Sequence, residues 1–164
     1  SIFSLWLNAR YGASVGVISY IYAAAQFILI FAFLASPAIA KKLGSVGSIV
    51  SLQVIGFSLL LPIIFADSLI VAGLLYASII ILLSMPNPIL RSFIIGLVDP
   101  SERASASTVI ALSMNLSSSF APAVTGYYIF AGLLKVPLYL SMLIGISSAA
   151  LFYSLFSGYE KRAS

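Results

Sequence analysis

Apolar residues run along this chain in long blocks, separated by short polar breaks at Asn8 to Ser14, Lys41 to Ser45, Ala66 to Ser68, Asp99 to Arg103 and Gly132 to Pro137. Crossing about 30 Å of hydrocarbon at 1.5 Å rise per residue takes roughly 20 residues. The blocks therefore predict five full transmembrane helices, near 15–39, 46–65, 69–98, 104–131 and 138–157. Residues 2–7 are apolar but too few to cross, and read as a stub, the last two turns of a span that begins upstream. The fold class that follows is all-α: one polytopic transmembrane helix bundle over residues 1–164, of about five full spans plus the stub.

Composition narrows the reading. Of 164 residues 62% are apolar and 7% charged, against roughly 45–50% and about 25% in a soluble domain. A water-soluble globule is excluded, and the lipid bilayer is the expected surroundings. The net charge of +4 sits at the ends of apolar runs and forms no basic, aromatic-laced patch, which argues against nucleic acid. With no Cys and no His, disulfides, the usual zinc and haem ligands and imidazole-dependent triads are unavailable. No acid pair at mid-membrane offers hydrolytic chemistry. The chain is expected to be no enzyme and to carry no metal or cofactor.

Orientation follows from the basic residues, which accumulate in cytoplasmic loops. Lys41, Lys42, Arg103, Lys161 and Arg162 fall at one set of span ends, Arg10 and Lys135 at the other. The first set is expected to be cytoplasmic, with the C-terminus inside. Asp99-Pro100-Ser101-Glu102 reads as a helix start, with Asp99 at the N-cap, Pro100 at the first position and Glu102 at the third.

Ionisable groups inside a membrane are costly and mark function. One falls within a span, Arg91; Asp67, Asp99, Glu102 and Glu160 all fall in loops or at boundaries. Arg91 either serves function or snorkels to the headgroups. Helical spacing puts Tyr76, Ser84, Asn87 and Arg91 on one stripe of the third full span, Thr108, Asn115, Ser118, Ser119, Pro122 and Gly126 on one of the fourth, and Ser19, Tyr22 and Gln26 on one of the first. These three spans are expected to face water or protein, and the second and fifth to lie at the lipid-facing periphery. Ser117, Ser118 and Ser119 also suit hydrogen bonds between helices, whereas Gln26, Asn87 and Asn115 each bring an amide needing several partners. Pro86-Asn87-Pro88 interrupts the longest span, and Pro62 and Pro122 are expected to bend theirs. Such breaks either ease packing or mark a transporter's substrate site.

The order of stub, Asn8 to Ser14, long span, Ala40-Lys41-Lys42-Leu43-Gly44, two spans, Asp99-Pro100-Ser101-Glu102-Arg103-Ala104, two spans resembles the C-terminal half of major facilitator superfamily transporters. Lys42 and Gly44 match that family's basic loop after the second helix of a half. Residues 97–104 look like its Pro-x-x-x-Arg-Gly-x-Ala-type loop, and Pro122 and Gly126 match its Gly-Pro-x-x-Gly-Gly element. The resemblance implies that the chain holds the end of a seventh helix and the eighth through twelfth. A missing N-terminal half would then be its partner, and transport would proceed by rocking of the two halves around a midplane site.

The functional expectation is a fragment of a secondary active transporter that moves a small organic solute by alternating access, in the plasma membrane. Gln26, Asn87, Arg91, Asn115, Tyr22, Ser84 and Ser119 are the expected solute contacts, and Lys42, Asp99, Glu102 and Arg103 the expected gate. A non-transporting membrane scaffold or assembly subunit, whose polar stripes bind partner helices, is the alternative.

Overall fold

The structure, a computed structural model, describes residues 2–163, with side-chain surroundings throughout except at 2, 114, 116–123, 125, 129 and 159–163. Eight helices account for it: α1 (Ile2–Tyr11), α2 (Val15–Leu43), α3 (Ser45–Ser58), α4 (Leu60–Phe65), α5 (Leu69–Ser84), α6 (Pro86–Leu97), α7 (Arg103–Phe130) and α8 (Val136–Ala163). Among the described residues four stretches are long and apolar enough to cross a bilayer: Val15–Leu43, Ser45–Phe65, Leu69–Leu97 and Val136–Gly158. The chain is an integral membrane protein built of helices.

The helices overrun the apolar blocks. The stub continues through Asn8 to Tyr11, and α2 runs on to Leu43, because a polar residue at a membrane boundary need not leave the helix. Ser14 starts α2 by accepting from the Val17 N–H at 3.3 Å, and Ser68 starts α5 by accepting from Ile70. Gly44 ends α2 and begins α3 at φ +76°, a torsion that L side chains rarely adopt. Asp99 does not cap a helix. Residues 99–102 form a turn closed by Glu102 N–H to the Asp99 carbonyl at 2.9 Å, and α7 begins one turn later than expected, with Ala106 bonding back to Glu102.

Prolines account for two interruptions. Pro62 cannot donate to the Ser58 carbonyl, and the second span divides at Leu59. Pro86 likewise cannot donate to Leu82, and the third span divides at Met85, whose torsions stay helical at φ −56°, ψ −34°. The path therefore continues while the hydrogen-bond ladder breaks. In α2, Pro37 leaves the Phe33 carbonyl without its helical donor, and the Ser36 hydroxyl supplies one at 2.8 Å.

The second span, expected at the periphery, is instead the centre of the bundle. It is the most buried of the four, and α3 packs against α2, α5, α6 and α8. Small residues bring it close to its neighbours. A Cβ at Gly56 would lie 2.7 Å from Leu83 of α5, and one at Gly145 of α8 would fall on the ring of Phe57. Between α2 and α5, a Cβ at Gly73 would lie 2.9 Å from Ile21. Polarity was a poor guide to burial here, because in lipid close approach rather than water exclusion holds helices together. The fifth span, α8, packs on α3 and α4 along one face, while Leu143, Ile144, Leu151 and Leu155 are exposed.

At the end of the bundle that carries Arg10, α1 inserts Trp6 and Leu7 into a core with Ile18, Leu60, Ile63, Ile64, Ala72, Tyr76, Ile79 and Leu138. Arg10 ties it down, donating to the carbonyls of Ile64 at 2.8 Å and Ala66 at 3.1 Å while its guanidinium lies over the rings of Trp6 and Tyr11. The Tyr11 hydroxyl donates to the same Ala66 carbonyl at 2.6 Å. These groups close the C-terminal end of α4, whose last carbonyls have no helical donor.

Two predictions follow from this packing. Gly145→Val, which drives a branched side chain into Phe57, should destabilise the bundle by about 1–3 kcal/mol, and Gly158→Val, at a glycine with open space around it, should not; thermal aggregation in detergent measures both. Arg10→Ala removes two charge-assisted bonds worth about 1.5–3 kcal/mol each and should loosen α1. Because Trp6 is the one tryptophan, a red shift of its emission reports that loosening directly.

Candidate functional site

A side chain in a membrane helix must either satisfy its polar groups locally or meet water or another polar surface. Many of the described helix hydroxyls take the first course. Ser48, Ser51, Ser58, Ser78, Thr108 and Ser113 each donate to the carbonyl four residues back, at 2.6–3.0 Å. They need neither an aqueous cavity nor a neighbouring helix, so Thr108 no longer marks a wet stripe on α7.

Amide and guanidinium groups cannot fold back so easily. On α6, Pro86 and Ile89 are buried while Asn87 and Arg91 are exposed, so the two polar side chains stand opposite the packed face. Ser84, one turn before them, is half-buried. Neither Asn87 nor Arg91 bonds to another described residue. Tyr76 leaves this group. It is 2% exposed, sits in the core near the Arg10 end and stacks on Phe3 with ring centroids 4.8 Å apart. The stripe expected on the third span is thus split at the proline break, its first member structural and its last two turned outward.

On α2 the buried residues are Ile18, Ala25, Leu29 and Ser36. Gln26 is half-buried beside that stripe, and Tyr22 is 47% exposed on the same flank. Asn115 is exposed on α7 and already has a partner; Ser119 lies outside the described residues, as do Ser117, Ser118 and Pro122. Lys42, Asp99, Glu102 and Arg103 are all exposed at the lysine-bearing end.

Clefts indent the described surface, among them the following three. One of about 430 Å³ lies between α1 and α2, lined by Ser4, Leu5, Asn8, Val15, Ile18 and Ser19. A second, about 370 Å³ and almost wholly apolar, lies between α2 and α5 around Ile21, Ala25 and Gly73. A third, about 200 Å³, lies at the lysine-bearing end among α2, α3 and α6. Gln26, Asn87, Arg91 and Asn115 line none of the three. The structure places Asn87 and Arg91 on an outer face of α6. Among the described residues no three acidic side chains come together as a metal site would require.

Two structural roles escaped sequence reading. Arg10 was counted only as a loop charge, although its place at the end of a short helix beside Trp6 and Tyr11 hinted at a packed role. The third cleft was missed because its hydroxyls come from three separate helices; Ser36-Pro37 and the pair Pro88 and Ser92, one turn apart, were its only local traces. No protein-family model, no curated protein and no solved structure matches the chain.

Proposed function

We propose that the chain is one half of a solute-transporting bundle, and that the outer face of α6 meets an aqueous passage completed by a second bundle. The observation that carries this reading is the exposure of Asn87 and Arg91 on a span otherwise suited to lipid. Counting back from Leu97, Arg91 lies six residues and Asn87 ten residues inside the span, about 9 and 15 Å at helical rise. An amide at the depth of Asn87 facing hydrocarbon would cost several kcal/mol, so water or protein must cover it, whereas the longer Arg91 side chain reaches toward the headgroup level. The adjoining prolines keep this backbone from a continuous ladder, the arrangement from which transporters build midplane sites.

In this reading the membrane is the plasma membrane, the end carrying Lys41 and Lys42 and the C-terminus are cytoplasmic, and α7 also crosses, as the fourth of five spans. The solute is a small organic molecule passed by alternating access. Arg91 attracts its anionic group or pairs with an acid on the facing half, Asn87 and Gln26 offer amide bonds, and Lys42, Asp99, Glu102 and Arg103 exchange ion pairs at the inner gate. The resemblance to the C-terminal half of major facilitator superfamily transporters supports the same arrangement of partners. A scaffold whose polar face binds partner helices is the competing reading, favoured by the same outward face.

The chain has no cysteine, so an introduced one is its sole thiol. Asn87→Cys and Arg91→Cys should react with a water-soluble maleimide applied to opened membranes, and Ile28→Cys, on the apolar flank of α2, should not. A face covered by partner helices leaves both positions unreactive, which would overturn the aqueous passage and favour the scaffold. Arg91→Ala in the full-length protein should lower solute uptake about tenfold or more, the loss of one charge-assisted bond, with membrane insertion unchanged. Unaltered uptake removes Arg91 from the site.

A further inference from the structure

The cleft of about 200 Å³ at the lysine-bearing end has a chemistry of its own. Ser36, Pro37 and Ala40 of α2, Ser45 at the start of α3, and Pro88, Ile89 and Ser92 of α6 line it. The Ser36 hydroxyl already donates to the Phe33 carbonyl. Ser45 and Ser92 do not: unlike Ser48, Ser51 and Ser78, they make no hydrogen bond to another described residue, and both remain able to donate. No acidic side chain lines the cleft. Exposed cations adjoin the lining residues in the chain on two helices. Lys41 directly follows Ala40 on α2 and Arg91 directly precedes Ser92 on α6, so each flexible side chain starts beside a lining residue and flanks the cleft.

The depth is equally particular. The cleft opens at Ala40, three residues from the end of α2, and Ser92, five from the end of α6, about 5 to 8 Å inside the helix ends, and reaches down to Ser36 and Pro88, about 10 and 14 Å inside. Headgroup phosphates and the first acyl carbons meet at this level of a bilayer. Pro37, Ala40, Pro88 and Ile89 give the cleft apolar walls, which a lipid glycerol can fill and a free hydrated anion cannot use.

From hydroxyl donors, cations without acids, and apolar walls at headgroup depth, we propose that this cleft binds the phosphate of an anionic phospholipid from the adjoining leaflet. Ser45 and Ser92 donate to the phosphate oxygens, while Lys41 and Arg91 balance the charge. Holding α2, α3 and α6 to one headgroup, the lipid bridges three helices at this end of the bundle. The inference does not depend on transport. Arg91 borders both the cleft and the face carrying Asn87, so its replacement would confound the two readings, and the test leaves it in place.

The purified full chain in neutral detergent is titrated with dioleoylphosphatidylglycerol or with dioleoylphosphatidylcholine, and bound lipid is counted by native mass spectrometry. One phosphatidylglycerol should be retained in clear preference to phosphatidylcholine. Lys41→Gln combined with Ser92→Ala should weaken phosphatidylglycerol roughly fivefold to tenfold and leave phosphatidylcholine unchanged; both positions are exposed, so the fold tolerates the change. Lys135→Gln, a cation at the opposite end, should alter neither lipid. Equal retention of the two lipids overturns the proposal, as does an unchanged affinity in the double variant or an equal loss in Lys135→Gln. Displacement of phosphatidylglycerol by millimolar inorganic phosphate would show that the cleft takes a free anion, which also overturns it.

Discussion

Close approach of helix backbones is the constraint on which this bundle depends. Lipid tails are as apolar as leucine, so burying leucine between helices gains little, and association rests on packing contacts and satisfied polar groups. The second span shows how this is achieved. Its Gly56 admits Leu83, and its Phe57 lies where Gly145 has no side chain. Gly73 does the same for Ile21 between α2 and α5. Around these contacts the remaining helices take positions that their own polarity does not set.

Backbone carbonyls form the second set of demands. Wherever proline or a helix end removes a donor, another group is needed, and two answers are visible: the Ser36 hydroxyl reaches back to Phe33, and Arg10 and Tyr11 reach across to Ile64 and Ala66. The helical serines follow the local solution, turning onto their own backbone. Asn87 and Arg91 on α6, and Ser45 and Ser92 beside Lys41 and Lys42, are among the side chains that make no hydrogen bond to another described residue. The division is chemical: a short hydroxyl can reach the preceding turn, whereas the two outward residues on α6 carry more donors than one carbonyl can serve.

Much of the architecture was legible in the sequence for a simple reason. Polar breaks and apolar blocks respond to the same bilayer, and the helices begin and end close to them. Ser14 and Ser68 mark starts that any reading of caps would find. Tyr76 misled because tyrosine is as much an aromatic surface as a hydroxyl, and Phe3 claims the ring. The position of the second span misled because Gly56 and Gly145 carry no polarity, and their partners lie far away in the chain. Of the candidate site, Asn87 and Arg91 could be read as a pair from spacing across the proline break. Their outward direction could not, since it depends on which neighbours α6 acquires.

The clasp formed by Arg10 also constrains biogenesis. Its acceptors at Ile64 and Ala66 lie 54 and 56 residues further along the chain. During synthesis the first helix therefore stays undocked until the second membrane crossing is nearly complete. A chaperone or insertase has that interval in which to hold an arginine and a tryptophan that have not yet found their places.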